Sequence, residues 1–215
     1  MFSKMSRLGL QRRMRSSVSS WDLEPTLPPK LLKRSLGRDF IAHSLYHPTD
    51  GYFNRNSLEI LHPSHPIDFK SLESQDAFLN LVHGLYSVSH HVRSQLWHTP
   101  TELFQPFFGR ALANYILKVH TPSEHEPLII YEIGTGNGTL MLDILDYIQA
   151  HAPDQYATME YHAIEISSHL VSSLNRVKAK HPKVSIIKKS ILDWNTLEPR
   201  PCFLIAMEVI VIIIL

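Results

Sequence analysis

Residues 131–139 read Tyr-Glu-Ile-Gly-Thr-Gly-Asn-Gly-Thr, residue types and spacing suited to holding a nucleotide-derived cofactor. The segment follows the apolar run Leu128-Ile129-Ile130 and opens a helical pattern, as a strand–turn–helix ligand loop does. Glycines at Gly134, Gly136 and Gly138 let the backbone turn tightly and approach a ligand that any Cβ would push away. A dinucleotide fingerprint would need its third glycine at position 139, where Thr139 stands, so a nicotinamide oxidoreductase is disfavoured. The E-x-G-x-G-x-G spacing points instead to S-adenosyl-L-methionine (SAM).

Other acids fit the same cofactor. Glu165, near the end of the next expected strand, can accept hydrogen bonds from both ribose hydroxyls; a solvated strand-end charge is the plainer alternative. Glu132, inside the motif, is placed to orient the glycine loop and the amino group of the cofactor. The helix after the loop offers free N–H groups and a favourable dipole to a carboxylate. Ser190 and Ile191, in Ser190-Ile191-Leu192-Asp193-Trp194, fall where an adenine would lie; Trp194 as core and Asp193 as a turn cap fit the same residues equally well. The 14 histidines show no helix-face pair with a carboxylate; His62, His65, His90 and His91 read as surface residues and no metal is expected.

These residues need a scaffold to position them, and from Leu128 the sequence alternates strand and helix. Strands are expected at Leu128–Ile133, Glu160–Ile166, Val184–Lys188 and Cys202–Val209, and helices at Thr139–Ala150 and Ser168–Lys180. That order makes an α/β fold with a parallel sheet. Before it, helical spacing covers Lys30–Leu45, Ser74–Leu96 and Phe104–Val119, with a loop at Tyr52–Asp68 broken by Pro63 and Pro66.

The chain has 215 residues, 44% of them hydrophobic, and a formal net charge of +1, a composition ordinary for a globular protein. Its charge is unevenly spread. Positions 1–38 carry nine Lys/Arg and two Asp/Glu, against 12 and 18 in the remainder. Basic, serine-rich residues 1–24, acid-free before Asp22 and without a continuous apolar stretch, have the composition of a mitochondrial presequence. A disordered basic tail is the alternative. Pro25–Pro29 reads as a linker, 30–127 as a helical N-terminal region and 128–215 as a partial cofactor-binding domain. The single Cys202 excludes an intrachain disulfide framework.

Three separated segments resemble one family. Leu45-Tyr46-His47-Pro48-Thr49-Asp50-Gly51-Tyr52-Phe53, then Thr99-Pro100-Thr101-Glu102 with Phe108-Gly109, then the loop from Glu132 to Gly138 are similar to the MidA family of mitochondrial SAM-dependent methyltransferases. The resemblance covers about residues 40–209. It implies a Rossmann-like methyltransferase sheet preceded by a helical region, SAM as cofactor, and symmetric dimethylation of an arginine on a protein substrate, with a complex I subunit in the mitochondrial matrix as partner. It further implies that Gly134, Gly136 and Gly138 line the cofactor, Glu165 holds the ribose, and Thr99, Pro100, Thr101 and Glu102 cover the pocket. Glu208 matches a family glutamate at the end of the fourth strand, where the acceptor group is met. Two departures stand out: a longer spacing between Tyr52 and Thr99, and an apolar run, Ile210 to Leu215, where the family continues into a second half. The latter predicts a truncated chain with an incomplete sheet, and carries the alternative of a noncatalytic SAM-fold protein that binds an assembly partner.

Overall fold

The computed structural model describes residues 36–47, 49–52, 58–88, 95–120 and 126–209. The expected presequence, the Pro-rich linker and the apolar run 210–215 lie outside the described residues. The chain divides into two units, 1–40 and 41–215. Of the first, only residues 36–40 are described, and 37–40 begin helix α1 (Gly37–Tyr46). Everything below concerns the second unit.

Its centre is a four-stranded parallel sheet of β3 (Ile129–Ile133), β4 (Glu160–Glu165), β5 (Val184–Lys188) and β6 (Phe203–Ile205), in the order β5-β4-β3-β6. This is the α/β, Rossmann-like class expected from the alternating pattern. Helices α5 (Thr139–His151) and α7 (Ser168–Lys180) make the crossovers from β3 to β4 and from β4 to β5, with the short α6 (Pro153–Thr158) between. Parallel strands covered by helices need long apolar runs, and Ile129, Ile130 and Ile133 are all buried. On α5, Leu140, Met141, Ile144, Leu145 and Ile148 recur at helical spacing and are 2% exposed or less. They close onto Tyr161, Ala163, Leu174 and Val177 in one core. The fourth strand is shorter than Cys202–Val209, because the chain bends at Met207 and Glu208 instead of continuing along β3.

The region before the sheet departs further from expectation. Helix α2 spans Gln75–Val88, and Gln95 and Leu96, the end of the stretch expected to be helical, belong instead to strand β2 (Gln95–Trp97). It pairs in parallel with β1 (Leu58–Ile60), inside the segment expected to be loop. Helical spacing is a local signal, whereas this pairing joins segments 37 residues apart (Leu58 with Gln95) and is decided by tertiary context. A short helix α3 (Pro100–Leu103), capped by the Thr99 side chain, precedes α4 (Phe107–Val119). Leu61, Ile67, Val82 and Leu103 form a second, smaller core, flanked by Phe69 stacked on Phe104 at 5.2 Å.

Helix α4 lies against α5 at Gly109, where an added Cβ would stand 2.4 Å from Asp143 Cβ. Alanine would gain about 1 kcal/mol of helix propensity over glycine, but that contact forces the helices apart and overpacking costs about 1–3 kcal/mol. Gly109→Ala is therefore expected to lower the melting temperature in a thermal denaturation measurement; a rise would show that propensity wins.

Candidate cofactor and active site

Strand order itself locates a site. From β3 the chain winds outward through β4 to β5, then returns to the other side of β3 with β6. Ligands of open α/β sheets sit outside the carboxyl ends of the strands at such a reversal. A cavity of about 360 Å³ opens there, within the range of small-molecule sites. It is lined from the ends of β3 (Glu132, Gly134), β4 (Glu165, Ile166) and the bend after β6 (Met207, Glu208).

The glycine loop has the backbone that its sequence requires. Gly134, Gly136 and Gly138 have φ of 69°, 59° and 80°, the left-handed region where a Cβ is strained. A Cβ at Gly134 would meet Val209 at 2.8 Å, and one at Gly138 would meet Leu174 at 2.8 Å. Gly138 occupies the N-cap position of α5 without a side-chain cap, so the first N–H groups of that 13-residue helix are available to a ligand.

Glu132 of the motif and Glu165 at the end of β4 are both at the cavity, and both are nearly inaccessible. Glu165 accepts hydrogen bonds from the backbone N–H of Gly136 (3.0 Å, Oε2) and of Ser167 (2.9 Å, Oε1). Burial raises its pKa, while those N–H groups work in the opposite direction. It thus braces the glycine loop, and each oxygen keeps a second lone pair for a ligand. Glu132 accepts from the Tyr161 hydroxyl at 2.7 Å. Burial, assisted by the charge of Glu165 and opposed by the Tyr161 hydrogen bond, pushes Glu132 up to about 8. A carboxyl in that state is poised to take up a cationic group, which would restore its ionised form.

The cover segment is held by Glu102, whose burial and partners the sequence did not reveal. Its carboxylate accepts from Thr139 Oγ1 (3.0 and 3.1 Å), Asn137 Nδ2 (3.2 Å) and His62 Nδ1 (2.6 Å). Thr99, Pro100 and Thr101 line the same wall, with Trp97 and Tyr52, whose ring centroids lie 5.9 Å apart. Glu208, exposed at the mouth, has φ 57°, an uncommon conformation for a residue other than glycine and one found at functional sites.

Most of the residues singled out in the sequence therefore converge on one cavity. Ser190 and Ile191 do not: they cap and begin a 3-10 turn after β5 and are not among the residues lining the cavity. Trp194 packs edge-on against Tyr131 and donates to the Thr196 carbonyl. Ile60, Trp97 and Tyr161 were missed, and nothing in the sequence paired Tyr161 with Glu132. Among the described residues, no group of three or more His, Cys, Asp or Glu is placed to hold a metal, and no helix is long and apolar enough to cross a membrane.

The family model described as "Putative S-adenosyl-L-methionine-dependent methyltransferase" matches residues 109–211. The chain is similar to the protein arginine methyltransferase NDUFAF7 homolog, mitochondrial, of Schizosaccharomyces pombe, at 25% identity over 185 residues, covering 80% of this chain. It spans 38% of the length of that relative. Among solved structures it is similar to the DszA carbon methyltransferase (TM-score 0.35, 18% identity, 46% of this chain and 27% of that one). It is also similar to a protein of Listeria monocytogenes described as a "putative class i s-adenosylmethionine-dependent methyltransferase" (TM-score 0.37, 11% identity, 62% and 39%). The family match contains the glycine loop, Glu132, Glu165 and Glu208, the likeness to the mitochondrial relative covers most of the chain, and the protein is similar to SAM-dependent methyltransferases of this MidA-like kind.

Proposed function

We propose that the chain acts as a protein arginine N-methyltransferase of the mitochondrial matrix, producing symmetric dimethylarginine on a protein substrate linked to assembly of respiratory complex I. One observation carries the choice of acceptor class. Glu102, Glu132, Glu165 and Glu208 line the cavity, and no Lys, Arg or His does so among the described residues. Such a lining favours the ammonium and sulfonium of SAM and a cationic acceptor, and it repels a phosphate-bearing one. Arginine, the mitochondrion and complex I rest on the family resemblance. The basic segment 1–24 supports the compartment as a presequence, and the relative that is named mitochondrial points the same way.

The residues fit the cofactor. The open N-terminus of α5 suits a carboxylate, Glu132 an ammonium, and Glu165 the ribose hydroxyls, while a Cβ on the loop would fill the cradle. When bound, SAM supplies an electrophilic methyl group. Thr99 to Glu102 close one side against water, and Glu208 pairs with the guanidinium and orients its nitrogen for in-line attack, so the chain contributes chiefly by positioning and electrostatics.

The test is transfer of labelled methyl from SAM to an arginine peptide, with a lysine peptide alongside. Glu208→Gln should keep SAM affinity within about twofold and reduce transfer by roughly 10²-fold or more. Equal transfer by wild type and variant would remove Glu208 from the mechanism. SAM binding with no transfer by the unmodified chain would favour the noncatalytic reading, a SAM-fold protein that serves an assembly partner.

A further inference from the structure

Glu102 is where three separate segments meet: α3, which carries it; the glycine loop and the start of α5, through Asn137 and Thr139; and the chain leaving β1, through His62. The Glu102 side chain is 4% exposed, and that of His62 is 40% exposed. The shortest contact of the set is the one between them, 2.6 Å. A buried carboxylate holds its place only while its oxygens are satisfied, and here the donors come from the side chains of other segments, none from α3. Two residues before His62, Ile60 faces the position of a Cβ on Gly136 at 3.1 Å. The same loop is held on its far side by Gln105, which donates to the Pro63 carbonyl at 3.1 Å.

We propose that His62, outside the cavity lining, is a positioning residue for the cofactor site: by donating from Nδ1 to Glu102 it clamps the α3 wall onto the glycine loop. This rests on the reading of the cavity as the SAM site. The imidazole touches no cofactor; it acts through Glu102, and its removal leaves a buried carboxylate short of a donor at the hinge between wall and loop.

Two variants of the full chain separate the donor from the bulk. His62→Leu keeps the volume and loses the donor, whereas His62→Asn carries an amide nitrogen near the place of Nδ1. Amide hydrogen exchange over residues 134–140 without cofactor reads the clamp directly, and titration with SAM reads its consequence. His62→Leu should exchange faster in that segment and bind SAM at least tenfold more weakly, with His62→Asn close to wild type in both. The effects of His62→Leu and Glu102→Gln on affinity should be non-additive, as expected of two residues in one network. Unchanged exchange, additive effects, or loss of affinity in both His62 variants would overturn the proposal. Failure of the unmodified chain to bind SAM would overturn the cofactor reading and the role of His62 with it, and the exchange result would show whether the clamp itself exists.

Discussion

Glu132→Gln is expected to make the protein more stable at neutral pH and a worse binder of SAM. Burial raises the Glu132 carboxyl from 4.5 to about 8 in the folded protein, so folding favours its protonated form. The stability tied to that proton is complete below pH 4.5 and is lost as the pH climbs from 4.5 to about 8. At pH 7 the loss is on the order of 3 kcal/mol. Glutamine is uncharged throughout and can still accept from Tyr161, whose hydroxyl lies 2.7 Å from the carboxylate. Thermal melts of the two proteins should therefore coincide near pH 4 and diverge above it, with the variant higher. Affinity should move the other way. Removing one partner of a buried charge pair costs about 2 kcal/mol or more, which is about 30-fold or more in Kd. Wild-type affinity should also rise with pH up to about 8, since Glu132 must shed a proton to receive the ammonium. A variant that melts no higher than wild type at pH 8 and binds SAM equally well would show that Glu132 neither holds that proton nor meets the cofactor.

Gly136→Val should abolish measurable SAM binding in an isothermal titration. At φ 59° a β-branched side chain is held in the left-handed region, at a cost of about 1–2 kcal/mol. Its Cβ would lie 3.1 Å from Ile60 Cδ1, and its methyl groups would occupy the cavity that Gly136 lines. The strain also pulls on the Gly136 N–H that holds Glu165 at 3.0 Å. Stability should fall by only about 1–2 kcal/mol, because the core beneath α5 is untouched. Binding lost from a folded variant assigns the loop to the cofactor; undiminished binding would place SAM elsewhere.

The strand–helix alternation was legible residue by residue because its signals are local. Ser168–Lys180 and Val184–Lys188 have the bounds that periodicity implied, and α5 differs by one residue, ending at His151 instead of Ala150. Glycines at alternate positions after an apolar strand identified the loop, since only that backbone tolerates three positive φ angles in five residues. The first 127 residues were less readable. A three-residue strand such as Leu58–Ile60 carries too few side chains to show a period, and Gln95 and Leu96 continue an apparently helical pattern.

The sequence by itself determined the class of fold, the glycine loop and the two acids expected beside it, Glu132 and Glu165, which line the same cavity, because strand ends and tight turns restrict which residues can stand there. Only the tertiary structure decided what those groups experience. That Glu132 is pushed up to about 8 follows from its burial, with Glu165 adding to the rise. That Glu102 is buried among Thr139, Asn137 and His62 follows from the packing of three segments far apart in the chain. Ser190 and Ile191 stay out of the cavity for the same kind of reason. Residue type and local spacing specify elements; solvation, charge environment and partnership are properties of the space between elements, which exists only once they are packed.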